Sequence, residues 1–163
     1  MLLIRQLNAQ LDQAALRAFY GEASDYWILA DRRPPDAAKA AAFFTDTPPG
    51  CDPAASQRLG LFPEGARMGG VAVLSFGFPS ASDAYIDLML LAPYLRGQGH
   101  GAEVVRDLES RARARGARGL YLAVLGANPR GWAFWEREGF RATGLSRIDP
   151  ETGHVLHRLG KAL

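Results

Sequence analysis

The segment AYIDLMLL, Ala84 to Leu91, is almost continuously apolar, and it constrains the fold more than any other stretch. A strand with one solvated face alternates apolar and polar residues, whereas a near-unbroken apolar run reads as a central strand covered on both faces. RGQGHGAEVV follows, with glycines at 97, 99 and 101, ahead of an amphipathic helix from about Gly99 to Arg115. With 163 residues, 48% of them hydrophobic and 22% charged, the chain can build one globular core without disulfides or a structural metal. No repeat, linker or low-complexity tract divides it, so 1–163 is read as a single domain.

The remaining elements are placed by periodicity and turn chemistry. LLIRQL, Leu2 to Leu7, reads as a short strand, and Asn8 as the cap of a helix with apolar positions Leu11, Ala15, Leu16 and Phe19. Pro34 and Pro35 start a second helix, DAAKAAAFF, which TDTPPGCDP ends. SQRLGLFPEGARMGGVAVLSFGF reads as two antiparallel strands around Pro63, Glu64 and Gly65. After the glycine turn come a strand Gly119 to Leu125, a helix Pro129 to Glu138, and a strand pair bent at Asp149 to Gly153. Helices and strands alternate late in the chain while hairpins flank them, so the sheet is expected to be mixed.

A helix N-terminus presents unpaired backbone N–H groups and a partial positive charge, which suits an anionic ligand. Glycines at 97, 99 and 101 let the backbone approach that anion closely. No Gly-Lys-Ser/Thr ending marks a nucleoside-triphosphatase loop, and no acidic residue ends the next strand as a dinucleotide site requires.

The spacing Arg96, Gly99, Gly101 after an apolar strand resembles motif A of the GCN5-related N-acetyltransferase (GNAT) superfamily. A second stretch, NPRGWAFWEREGF, adds Asn128, then Trp135 seven positions on and Gly139-Phe140 at eleven and twelve, a spacing similar to one that family members carry. The resemblance implies an α/β (α+β) GNAT fold, a mixed, mostly antiparallel central sheet of about seven strands flanked by about four helices. It also implies acetyl-CoA as cosubstrate and no metal. Backbone amides around Gly97, Gln98, Gly99, His100, Gly101 and Ala102, with Arg96, are then expected to hold the pyrophosphate. Met89, Leu90 and Leu91 are expected to pair with the pantetheine arm like an added half-strand. Asn128 is expected to reach the cofactor from across the gap; Asn128-Pro129 equally reads as an ordinary helix cap followed by a first-turn proline.

The chain departs from its relatives where the chemistry lies. Many members place a tyrosine at the position of Trp135 to protonate the departing thiolate, and an indole N–H cannot do this. Trp135 is therefore expected to pack along the thioester or in the core. Tyr94 and Tyr121 are substitutes at non-motif positions. Asp87 is the one carboxylate inside the apolar central strand, on the face of Tyr85, Met89 and Leu91 by strict alternation. It is read as a base or amine anchor, or as a structural hydrogen-bonding group. His100 is a neighbour of the phosphate turn, and His154 and His157 read as surface or packing residues.

Tyr20, Tyr26, Trp27, Phe43 and Phe44 form either an acceptor wall or core, with Asp25, Asp31 and Asp46 available to draw a cationic amine. The loop TDTPPGCDP is a candidate lid. The basic run Arg111 to Gly119 falls at a helix end, where cations complement the dipole, so it reads as solvated. With net charge +2 and one cysteine, Cys51, the chain is expected to be cytoplasmic and reduced. Acetyl-CoA and an amine are the expected partners of a monomer or homodimer, without nucleic acid or membrane. Two activities remain open at this point: an N-acetyltransferase acting on a small amine, or an acyl-CoA-binding sensor that has lost catalysis.

Overall fold

A computed structural model of the chain describes residues 1–64 and 66–163. Its strands are β1 (Leu2–Gln6), β2 (Gln57–Pro63), β3 (Gly70–Phe76), β4 (Asp83–Leu91), β5 (Gly119–Leu125), β6 (Arg141–Ile148) and β7 (Val155–Ala162). Its helices are α1 (Gln13–Glu22), α2 (Ser24–Asp31), α3 (Ala37–Ala42), α4 (His100–Ala114) and α5 (Pro129–Arg137). The strands form one seven-stranded sheet in the order β1-β2-β3-β4-β5-β7-β6. All described pairings are antiparallel except β4 with β5. The mixed sheet is as expected, with five α-helices rather than about four among the described residues.

The N-terminal third departs most from the expected pattern. Asn8 does not cap a helix: its Oδ1 accepts from the N–H groups of Gln10 and Leu11 at 2.9 Å each, closing a turn, and α1 begins only after Asp12. Leu11 is consequently exposed. The eight-residue α2 escapes periodicity because its apolar residues ring it: Trp27 is buried while Ile28 and Leu29 are exposed. Asp36 caps α3, accepting from the Lys39 N–H at 2.8 Å. Of the expected turn after the second strand, Pro63 closes β2 and its carbonyl accepts from Ala66 at 3.0 Å, whereas Gly65 lies outside the described residues.

Two cores cover the two faces of the sheet. Val104, Val105, Leu108 and Ala112 of α4 pack with Ala84, Ile86, Leu120 and Leu122 on one face. Leu16, Phe19, Trp27 and Phe43 pack with Val71, Val73 and Leu90 on the other. Burying each of the larger of these side chains, Val, Leu, Ile or Phe, contributes about 1.5–3 kcal/mol. This double cover is the physical reason that β4 is apolar along nearly its whole length.

One irregularity in β4 changes which way its side chains point. Val73 lies opposite Leu88 while Leu74, the next residue, lies opposite Ile86, so Asp87 is an extra residue with no partner across the ladder. Such a bulge reverses the phase of the strand. Ala84 and Ile86 before it, and Met89 and Leu91 after it, join the core under α4 and α5, whereas Leu88 and Leu90 join the core under α1 to α3. Asp87 reaches Ser75, which by alternation shares a face with Val71 and Val73. The expectation that Asp87 shares a face with Met89 and Leu91 is therefore wrong, because strict alternation does not survive an inserted residue.

Candidate active site

The site begins where the two parallel strands part. β4 and β5 pair only from Asp83 with Gly119 to Ile86 with Leu122. Beyond that point β4 stays on β3 as far as Leu91, and β5 stays on β7 as far as Leu125. The edge of β4 from Met89 to Leu91 thus faces a gap instead of a neighbouring strand. A cleft of about 670 Å³ occupies the gap, lined by this edge, Asp87, Trp135, and the turn between β4 and α4.

In that turn the glycines have different jobs. Gly97 and Gly99 have φ of 73° and 85°, the left-handed region, and a Cβ at either would meet open space. Gly101 is helical, and a Cβ there would stand 2.9 Å from the Phe134 ring, so this glycine admits α5 against α4. No side chain caps α4, so its first-turn amides are left for a ligand, and Gly97, Gly99, Gly101 and Ala102 all line the cleft. Such a turn suits a pyrophosphate group. Arg96 also lines the cleft, but its guanidinium is engaged: Nε donates to the Leu91 carbonyl at 2.9 Å, and Nη1 and Nη2 meet Asp25 at 2.5 and 3.1 Å. The side chains of Gln98 and His100 turn elsewhere, Gln98 donating to the Tyr94 carbonyl at 2.5 Å and His100 Nδ1 lying 3.6 Å from Glu103.

Asp87 is the ionisable group of the cleft with the largest departure from ordinary behaviour. Burial pushes its pKa up to about 7, against the opposing pull of the Ser75 hydroxyl and the Arg58 charge. Ser75 Oγ donates to Asp87 Oδ2 at 2.7 Å, while Oδ1 is buried with no partner among the described residues. Burial, and after it the charge of Asp87, raises the pKa of the Cys51 thiol. Arg58, buried at 5% exposure, donates to the carbonyls of Phe43 and Asp46 at 2.5 and 3.0 Å and so ties the start of the 45–56 loop to β2. Sequence pattern does not single out Ser75; its one signal is a lone hydroxyl in the apolar strand GVAVLSF.

Trp135 is 9% exposed and stacks edgewise on Phe134 and Phe140, with ring centroids 4.9 and 5.3 Å away. It is a core residue whose remaining surface lines the cleft. Asn128 caps α5, its Oδ1 accepting from the Gly131 N–H at 3.0 Å, and it also lines the cleft. Tyr94 and Tyr121 are not among the cleft's walls; Tyr121 lies over Gly119 and Gly160 on a separate flank. The cleft's tyrosine is Tyr26, whose pKa burial pushes up to about 12.

The other proposed acceptor residues divide. Tyr20, Trp27 and Phe43 are core, Phe44 packs on them, and Tyr26 alone of the five lines the cleft. Asp31 is paired with Lys39 at 3.0 Å. α2 is held down by the turn between β6 and β7: Arg32 Nε donates to the Thr152 carbonyl at 2.8 Å, and His154 Nε2 meets the Leu29 carbonyl at 2.7 Å. His154 is thus a buried packing residue, and His157 stacks on Trp132. Two arginines of the basic run are paired along α4, Arg111 with Asp107 and Arg113 with Glu109. No helix among the described residues is long and apolar enough to cross a membrane, and no group of side chains there could hold a metal ion.

The architecture is that of solved acetyltransferases. An acetyltransferase from Thermus thermophilus aligns over 100% of this chain and 97% of its own at a TM-score of 0.77 and 23% identity. A GCN5-related N-acetyltransferase from Kribbella flavida aligns over 99% and 98% at a TM-score of 0.71 and 23% identity. The ribosomal-protein-S18-alanine N-acetyltransferase from Escherichia coli aligns over 99% and 94% at a TM-score of 0.66 and 18% identity. No curated protein matches the chain in sequence. These likenesses give the fold, and the family match gives the class, an acyl-group transferase. The chain belongs to the acetyltransferase (GNAT) family, whose model matches residues 16–140.

Proposed function

We propose that the protein is a cytoplasmic, acetyl-CoA-dependent N-acetyltransferase that moves an acetyl group directly to a primary amine of a small-molecule acceptor, with residues 1–163 forming one catalytic domain. The observation that carries this reading is Asp87, a carboxylate with its pKa pushed up to about 7 on the wall of the cleft, at the bulge where the strands part. A base poised near neutral pH can take a proton from an attacking amine and release it again.

In this reading the uncapped start of α4 binds the pyrophosphate, and the open edge of Met89 to Leu91 aligns the pantetheine arm. The Asn128 amide nitrogen, left over by the cap, donates toward the same arm. The acceptor enters over Tyr26 and Asp87. As its nitrogen forms the new C–N bond with the thioester carbon, Asp87 takes the proton released, and the C–S bond breaks to give the thiolate. Tyr26 at about 12 is too weak an acid to protonate a thiolate whose own pKa is about 8.5. Sulfur therefore leaves as the thiolate, and the proton held by Asp87 restores neutrality once it is released to solvent.

The test is thiol release from acetyl-CoA across polyamines, aminoglycosides, amino acids and short peptides, with labelling of Cys51 subtracted by an enzyme-only blank. Turnover with one amine class establishes the reaction and its acceptor chemistry. Acetyl-CoA that stabilises the fold without turnover on any amine moves the assignment to an acyl-CoA sensor.

A further inference from the structure

The helix α5 sets two cations, unpaired among the described residues, on the wall of the same cleft. Arg130, Phe134 and Arg137 stand at i, i+4 and i+7, one face of a helix, and all three line the cleft. Phe134 registers that face on the turn, because its ring fills the space above Gly101. One arginine therefore stands about a turn before this contact and the other about a turn after it. Both arginines are exposed, and neither forms an ion pair among the described residues. Arg96, by contrast, is neutralised by Asp25. Glu138 lines the cleft at the rim of the stripe, so α5 still presents a net positive face.

These cations are more than a pyrophosphate at the start of α4 requires, since the open amides there suit that group. A phosphate monoester carries between about 1.5 and 2 negative charges near neutral pH and is matched in geometry by guanidinium. We propose that Arg130 and Arg137 form a subsite for the 3′-phosphate of coenzyme A, so that the protein selects the coenzyme over its 3′-dephospho form. The inference rests on the acetyl-CoA reading and names residues that discriminate within it.

Titration calorimetry with coenzyme A and 3′-dephospho-coenzyme A, at one fixed low salt concentration, tests it. The unmodified protein is expected to prefer coenzyme A by about tenfold, the yield of two exposed charge-assisted contacts. R130Q and R137Q each reduce that preference, and R130Q/R137Q binds the two ligands equally while its affinity for the dephospho form stays unchanged. Equal binding by the unmodified protein, or a full preference kept by the double variant, overturns the subsite. Failure of both ligands to bind the unmodified protein overturns the acetyl-CoA reading itself, a distinguishable result. Both arginines are exposed, so unliganded Tm should hold, and the single variants carry the readout should the double variant fail to fold.

Discussion

Ser75 Oγ donates to Asp87 Oδ2 at 2.7 Å, and Ser56 Oγ stands 2.8 Å behind it. A hydroxyl has one hydrogen, so while Asp87 is ionised Ser75 spends it on the carboxylate and Ser56 must donate to Ser75. Two serines, 0% and 6% exposed, thus orient a carboxylate at the end of a buried relay.

Removing the middle of that relay should shift the pH profile. The Ser75 hydroxyl lowers the Asp87 pKa. Ser75→Ala is therefore expected to move the acid limb of kcat/KM to higher pH and to cost about 1–2 kcal/mol of stability. An acid limb that stays in place while stability falls would make Ser75 a structural residue only.

Asp87→Asn separates catalysis from folding. As a base, Asp87 must be ionised, so activity should rise through about pH 7, and the variant should lose about 10²–10⁴ in kcat with acetyl-CoA affinity little changed. Stability should change in the opposite sense. The folded pKa lies above the usual 3.8, so the folded state binds the extra proton between about pH 4 and pH 7, and wild-type stability falls as pH rises through that window. The variant should be more stable than wild type at pH 8, with the difference shrinking toward pH 4 in parallel denaturant titrations.

Gly99 and Gly101 should fail differently. A Cβ at Gly99 meets no atom within 4 Å beyond its chain neighbours, so Gly99→Asp should fold, with about 1–2 kcal/mol of backbone strain, and lose acetyl-CoA binding by charge conflict. Gly101→Asp drives a Cβ into the Phe134 ring, so it should lower Tm even without ligand. Calorimetry and unliganded melts on the pair distinguish the two; unchanged acetyl-CoA affinity in both would dismiss the phosphate turn.

Asp25 pairs with Arg96 beside the turn, so on the acetyl-CoA reading it is expected to oppose anion binding there. The Asp25 side chain is 56% exposed, so Asp25→Asn should cost less than about 1 kcal/mol of stability. It should also tighten acetyl-CoA binding severalfold at low salt, the gain fading as salt screens the charges. Weaker binding would show that the pair holds the turn in shape.

The central motifs were legible because their signals are local. Apolar continuity in β4, positive-φ glycines and the Asn128-Pro129 cap each act within a few residues. The first helices were less legible: α2 has no apolar stripe, and Asn8 prefers a turn to a cap. Asp87 is legible as a lone carboxylate in an apolar strand, but its face is not, because a bulge leaves no mark in a period-two pattern. Ser75 and Tyr26 join the site only through neighbours far along the chain.

Sequence alone determined the strand-turn-helix unit, the mixed sheet and the absence of a phenol at position 135, since backbone preference and burial pattern are written in neighbouring residues. Tertiary structure decided where the sheet opens, which face Asp87 takes, and that Arg96 is neutralised while, among the described residues, Arg130 and Arg137 are not. Those outcomes depend on ladder register, desolvation and ion pairing between segments tens of residues apart, and these exist only once the chain has closed on itself.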